Sequence, residues 1–158
     1  MSRAFVKEED DAPPPPPLER PVSSAPNFVT ARGARLMDAE ILRIEAALAL
    51  ETDDATAAEL QRDLRYRTTR RATSRLVEAE PNPETVAFGT RVRIRRDGEE
   101  REIAIVGEDE ADPEAGLVSW TSPLARALDA AEAGDEVELR AGSRVSRIEV
   151  LAVEPGGG

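Results

Sequence analysis

The side chains of this chain that could do chemistry are carboxylates and guanidiniums. The sequence has no His and no Cys, which removes imidazole bases, thiolate nucleophiles and the usual zinc ligands together and agrees with a reducing compartment. Three clusters remain. Glu108-Asp109-Glu110-Ala111-Asp112 is an acidic turn, but it lacks the central glycine and distal glutamate of a calcium loop, and its acids are adjacent instead of alternating. It reads as a solvated hairpin or a docking surface for a basic partner. Glu51, Asp53 and Asp54 form the second cluster, at a break between two helical stretches. Acids there are favoured by capping and by the helix dipole; alternatively they sit at the far end of a rigid arm and share Mg²⁺ with a partner enzyme.

The third cluster is the run Arg62, Arg65, Arg67, Arg70, Arg71 and Arg75. It covers several sides of one helix and so is not a single face. One reading is a solvated surface whose stems lie on the helical seam. The other is a basic face, with Arg67, Arg70 and Arg71 in it, guiding the helix toward nucleic acid or an acidic channel.

The elements that must position these clusters follow from periodicity. Thr30 is an N-cap, and Ala34, Met37, Ile41, Ile44 and Leu48 follow at spacings of three and four, the seam of a heptad. This predicts a helix from about Ala31 to Leu50. A second helix is predicted from about Ala55 to Glu80, ended by Pro81 and Pro83. Two such helices joined by a short turn make an antiparallel hairpin about 30 Å long.

Beyond it, alternating Val92 and Ile94, the run Ile103 to Val106, Val137 to Leu139 and Val145 to Val153 predict strands, with a tight turn at Asp97-Gly98. Ser122 caps a single helix whose first position is Pro123; it runs to about Ala131 and covers one sheet face with Leu124 and Leu128. The fold class is therefore α+β, with a helical hairpin at 30–81 and a β-rich domain with one helix at 84–154. Residues 155–158 are a loose end. Residues 1–29, with Glu8 to Asp11 and five prolines from Pro13 to Pro17, read as a flexible acidic, Pro-rich tail.

Composition narrows the function classes. The net charge of −11 argues against simple binding to a phosphate backbone. Residues 84–158 hold 17 acids and 9 Arg against 10 acids and 9 Arg in residues 30–83, so the excess lies in the β domain. No apolar run approaches the roughly 20 residues of a membrane helix, and the charged N-terminus does not read as a signal peptide. A cytoplasmic monomer without membrane contact is expected; a chain whose helices serve only to dimerise would show a doubled, concentration-dependent mass.

Several segments then fall into a family pattern. F-G at Phe88-Gly89, V-G-E-D-E-A-D at Val106 to Asp112, S-P-L-A-R-A-L at Ser122 to Leu128 and G-D-E-V at Gly134 to Val137 resemble the C-terminal domain of the GreA/GreB transcript cleavage factors of bacterial RNA polymerase. T-A-R-G at Thr30 to Gly33 is similar to that family's start of its first helix. The resemblance implies an N-terminal antiparallel coiled coil on an FKBP-like C-terminal domain.

It also implies RNA polymerase as the partner, docked at the rim of its secondary channel through Ser122, Pro123, Leu124, Ala125 and Arg126, with Glu108 and Asp109 beside them. The hairpin would enter the channel, with indirect contact to nascent RNA. The tip acids Glu51, Asp53 and Asp54 would then help hold the polymerase's Mg²⁺ for cleavage of its own RNA. The factor would have no catalytic residue and no cofactor of its own.

Two departures bear on that. The family's tip motif, roughly G-D-L-x-E-N-A-E-Y, is replaced by L-E-T-D-D-A-T-A-A-E. Each arm is also shorter than the family's by about three helical turns, roughly 16 Å of reach. The expectation is a regulator of transcription elongation that docks on polymerase and inserts a short acidic hairpin, with stimulation of cleavage as the alternative. An FKBP-like prolyl isomerase is the rival from another class, its pocket reduced to Phe88 and Trp120.

Overall fold

The computed structural model describes residues 13–157. The acidic run Glu8 to Asp11 lies outside the described residues. Helix α1 spans Ala31–Leu50 and α2 spans Asp54–Ala72. As expected, they form an antiparallel hairpin, with Met37 and Ile44 buried on the seam. Thr30 caps α1 by accepting from Gly33 N at 2.9 Å.

Helix α2 stops well before Glu80. Thr73 and Ser74 turn their hydroxyls back onto the carbonyls of Thr69 and Arg71, side-chain bonding that competes with continuing the helix. Arg75–Leu76 is then strand β2, paired in parallel with β1, Phe28–Val29. Leu76 therefore belongs to a two-stranded sheet, and Val77 follows it outside the helix with its N–H donating to Val29 O at 3.0 Å. The same pairing corrects the N-terminal boundary. Asn27 and Val29 are buried, so the segment read as tail through residue 29 is anchored to the hairpin before α1 begins.

The second sheet has five strands in the order β5-β4-β3-β7-β6: β3 Thr90–Arg96, β4 Glu99–Val106, β5 Leu117–Ser119, β6 Glu136–Ala141 and β7 Arg144–Pro155. The β3–β4 hairpin turns at Asp97-Gly98, both at positive φ, 52° and 80°, as the Asp-Gly pair dictates. Alternation on β3 sends Val92 and Ile94 inward to meet Ile103, Ile105, Ile148 and Val150. Helix α3, Pro123–Leu128, lays Ala125 and Leu128 on that face. It ends at Leu128, short of Ala131: Asp129 leaves the helical region at ψ 132°, and Ala130 follows at a left-handed φ of 62°.

A buried joint between hairpin and sheet, and the exposed sites around it

The acidic turn after β4 faces the hairpin and not solvent. Arg70 on α2 is 2% exposed. Its Nε donates to Asp109 Oδ2 at 2.6 Å, and its Nη2 donates to Asn27 Oδ1 at 2.9 Å and Glu108 Oε2 at 3.3 Å. Asn27 returns the contact, donating through Nδ2 to Arg70 O at 2.6 Å. Tyr66, one turn earlier on α2, donates its hydroxyl to Asp109 Oδ1 at 3.1 Å, and Arg67 Nη1 approaches the same oxygen at 3.8 Å. Burial of the phenol first, and then the Asp109 carboxylate, raise the Tyr66 pKa above its usual value.

Glu110 completes the joint. Its carboxylate accepts from Thr30 Oγ1 at 2.6 Å and Arg32 Nη1 at 2.9 Å. Two glycines permit this approach. A Cβ on Gly33 would stand 2.6 Å from Glu110 Oε2, and one on Gly107 would run into the Phe28 carbonyl oxygen. The segments T-A-R-G and V-G-E-D-E, far apart in sequence, are thus two halves of one contact.

Two expectations change as a result. Glu108 and Asp109 do not present a solvated or docking surface: Asp109 is nine-tenths buried, and Glu108 is three-quarters covered. Nor do Arg67, Arg70 and Arg71 form a free basic face. Arg70 is interior, Arg67 leans on Asp109, and Arg71 is paired with Asp38 at 2.6 Å on the facing helix. Helical periodicity places these arginines but cannot show that a partner turn arrives from residues about 40 positions later.

At the far end of the hairpin the tip acids act on their own backbone. Asp53 Oδ2 accepts from Thr56 N at 2.9 Å and Thr56 Oγ1 at 2.7 Å, capping α2 and holding the Asp53 carboxyl below the usual range. Glu51 Oε1 accepts from the backbone N–H groups of Thr52 and Asp53 at 2.9 and 2.8 Å. Asp54 occupies the first turn of α2. Among the described residues, no group of three or more acids is arranged to hold a metal ion.

The third site surrounds α3. Ser122 caps it, accepting from Ala125 N at 3.2 Å; Pro123 and Arg126 are exposed, whereas Ala125 is 5% exposed and belongs to the core. Leu124 is partly buried against that core. Beside them opens a cavity of about 280 Å³ lined by Phe28, Phe88, Trp120, Ala125, Arg126 and Asp129 among others. Phe28 sits 5.1 Å from Trp120 and 5.9 Å from Phe88, centroid to centroid. Sequence reading found Phe88 and Trp120 but missed Phe28, because it lies in a segment with the composition of a tail.

The fold and these sites define a two-part protein, a helical hairpin mounted on a small β domain by a buried ionic joint, with an open aromatic cleft on the domain. Residues 80–155 match the family described as "Transcription elongation factor, GreA/GreB, C-term". That match takes in just under half of the chain, which is there similar to the C-terminal domain of the GreA/GreB transcription elongation factors. The chain is 41% identical over 99 residues to transcription elongation factor GreB of Neisseria meningitidis, covering 61% of each chain. Over 70 residues it is 46% identical to transcription elongation factor GreA of Verminephrobacter eiseniae, covering 43% of this chain and 44% of that one. The matched region thus spans less than two thirds of these relatives' length. Among solved structures, GreA/GreB from Nitrosomonas europaea is 23% identical, covering 82% of this chain and 98% of that one at a TM-score of 0.40.

Proposed function

We propose that this chain regulates transcription elongation by docking on RNA polymerase at its secondary channel through the β domain, where it presents a short, self-capped hairpin without efficient stimulation of RNA cleavage. The docking surface in this reading is the exposed Pro123 and Arg126 at the rim of the Phe28/Phe88/Trp120 cleft. Ser122 shapes it as the cap of α3, and Leu124 and Ala125 act from beneath by holding that helix on the sheet. Aromatic side chains with one apolar face and an adjacent charge are the usual anchors of such interfaces.

The observation that carries the choice against cleavage is the tip. One oxygen of the Asp53 carboxylate and one of the Glu51 carboxylate accept from backbone N–H groups of the turn itself. A carboxylate that shares a catalytic Mg²⁺ must instead offer its oxygens outward to the metal and its waters. The hairpin also ends short of its relatives' reach in this reading, so occupancy of the channel and competition with other channel-binding factors are its effects.

A backtracked polymerase complex tests both parts. The chain is expected to bind the complex and displace a cleavage factor while leaving the RNA at full length. Asp53→Asn keeps a capping side chain and removes the charge. If the wild-type chain shortens the RNA and Asp53→Asn does not, the tip shares the metal and the cleavage reading is right. Failure to bind polymerase at all sinks the whole proposal.

A further inference from the structure

Residues 17–23 run along the outer side of α2 and make contacts that none of the sites above uses. Arg65 donates through Nε, at 3.0 Å, and through Nη2 to the same Glu19 oxygen. The Arg20 guanidinium lies 4.0 Å from the centroid of the Tyr66 ring and 3.6 Å from Asp63 Oδ1. Ser23 Oγ donates to Glu108 Oε1 at 3.0 Å. Between this strap and the joint lies a cavity of about 280 Å³ lined by Pro21, Val22, Ser23, Tyr66, Arg70, Glu108 and Asp109.

The contacts form a recognition pattern with a direction: an acid on Arg65, a cation stacked on Tyr66, a proline at the cavity and a hydroxyl on Glu108. Yet the strap itself is weakly held. Arg65 and Glu19 are 55% and 62% exposed, and ion pairs that open to solvent contribute little; Leu18, at 89% exposure, contributes no packing. Such a segment stays in place because its tether is short. Asn27 is fixed by Arg70, which puts the strap at high effective concentration over α2, and the prolines Pro13 to Pro17 keep the chain leading into it extended. Weak contacts held by a tether are what an exchangeable occupant looks like.

We propose that the α2 face of Asp63, Arg65 and Tyr66, closed at one end by Glu108, is a docking surface for an extended protein segment with an acid-base-proline-x-hydroxyl pattern, and that residues 17–23, Glu19-Arg20-Pro21-Val22-Ser23 at their centre, occupy it in cis until such a segment replaces them. The preference for peptide over nucleic acid rests on the strap: half of its polar contacts use a cation on Tyr66 and Asp63, which a polyanion does not supply.

The test uses the full chain and a fluorescein-labelled synthetic peptide of residues 13–24. In the variant Glu19→Ala/Arg20→Ala the strap loses both of its charged contacts, and the peptide is expected to bind, by anisotropy, at least about 10-fold more tightly than to the wild-type chain, whose own strap competes. Adding Arg65→Glu abolishes that binding, and a peptide carrying Glu19→Arg restores it. The milder Glu19→Ala falls between, and far-UV circular dichroism confirms that each variant is folded. Equal affinity for wild type and released variant, no binding to either, or displacement of the peptide by a single-stranded RNA oligonucleotide more strongly than by unlabelled peptide overturns the proposal.

Discussion

Arg70 Nε donates to Asp109 Oδ2 at 2.6 Å, with the two side chains 2% and 9% exposed, across the boundary between a helix and a turn 39 residues later. Burying two charges costs several kcal/mol each, and only close geometry with every remaining donor satisfied offsets that. Here Asn27 and Glu108 accept from Arg70 Nη2, and Tyr66 donates to the other Asp109 oxygen. The pair therefore fixes where the hairpin sits more than it adds net stability.

Removing one member leaves the other charged and without its main partner. Asp109→Ala is expected to destabilise the protein by about 3–5 kcal/mol, read from urea denaturation. The double variant Arg70→Met/Asp109→Leu, which replaces the pair by apolar side chains, recovers most of that loss. If Asp109→Ala unfolds at the wild-type midpoint, the joint is not the anchor described here.

How much of this was legible beforehand depends on the range of the interaction concerned. Caps and tight turns are local: Thr30, Ser122 and Asp97-Gly98 sit where their side chains and backbone freedom require. The joint is not local. Nothing in the acids of Glu108 to Glu110 shows that four basic or hydroxyl side chains, Arg70, Tyr66, Arg32 and Thr30, arrive from the hairpin, so the sequence alone leaves these acids and arginines looking solvated. The early end of α2 is hidden because Leu76 and Val77 fit the helical spacing, and only the pairing of β2 with β1 takes this segment out of the helix.

Gly33 is expected to tolerate no side chain. Its Cβ would meet Glu110 Oε2 at 2.6 Å while Thr30 and Arg32 hold that carboxylate in place. Gly33→Ala is expected to lower stability by about 1–3 kcal/mol, in the range for overpacked sites, whereas Ala39→Gly, on the exposed side of the same helix, acts through helix propensity, at about 1 kcal/mol. Thermal unfolding of the two variants side by side checks the order.

Tyr66 is the only tyrosine in the chain, so its phenol can be titrated by absorbance without overlap. Burial and the Asp109 carboxylate raise its pKa; the titration midpoint is expected above the ordinary value of about 10. A raised folded-state pKa means the folded protein holds the proton more tightly than the unfolded chain. That contribution to stability is complete below the unfolded pKa and fades as pH rises through the folded one. Asp109→Asn removes the neighbouring charge and is expected to bring the midpoint down, though burial keeps it above the ordinary value.

Asp53 gives the opposite pH dependence at the other end of the hairpin. Its carboxyl is held below the usual range by the Thr56 backbone N–H and then by the Thr56 hydroxyl. A lowered folded-state pKa means that capping is complete above the ordinary value of about 3.9 and is lost as pH falls through the folded value. Hydrogen exchange at the first amides of α2, Ala55 to Ala57, is therefore expected to accelerate relative to mid-helix amides once the pH drops below that ordinary value. Asp53→Ala produces the same fraying at neutral pH, and Asp53→Asn, an equally good cap, abolishes the pH dependence while keeping the turn protected. The pattern discriminates between the two uses of the tip. A carboxylate kept for a metal gains little by capping and is expected to lose no amide protection when replaced by Ala, whereas one that builds the turn loses it at once.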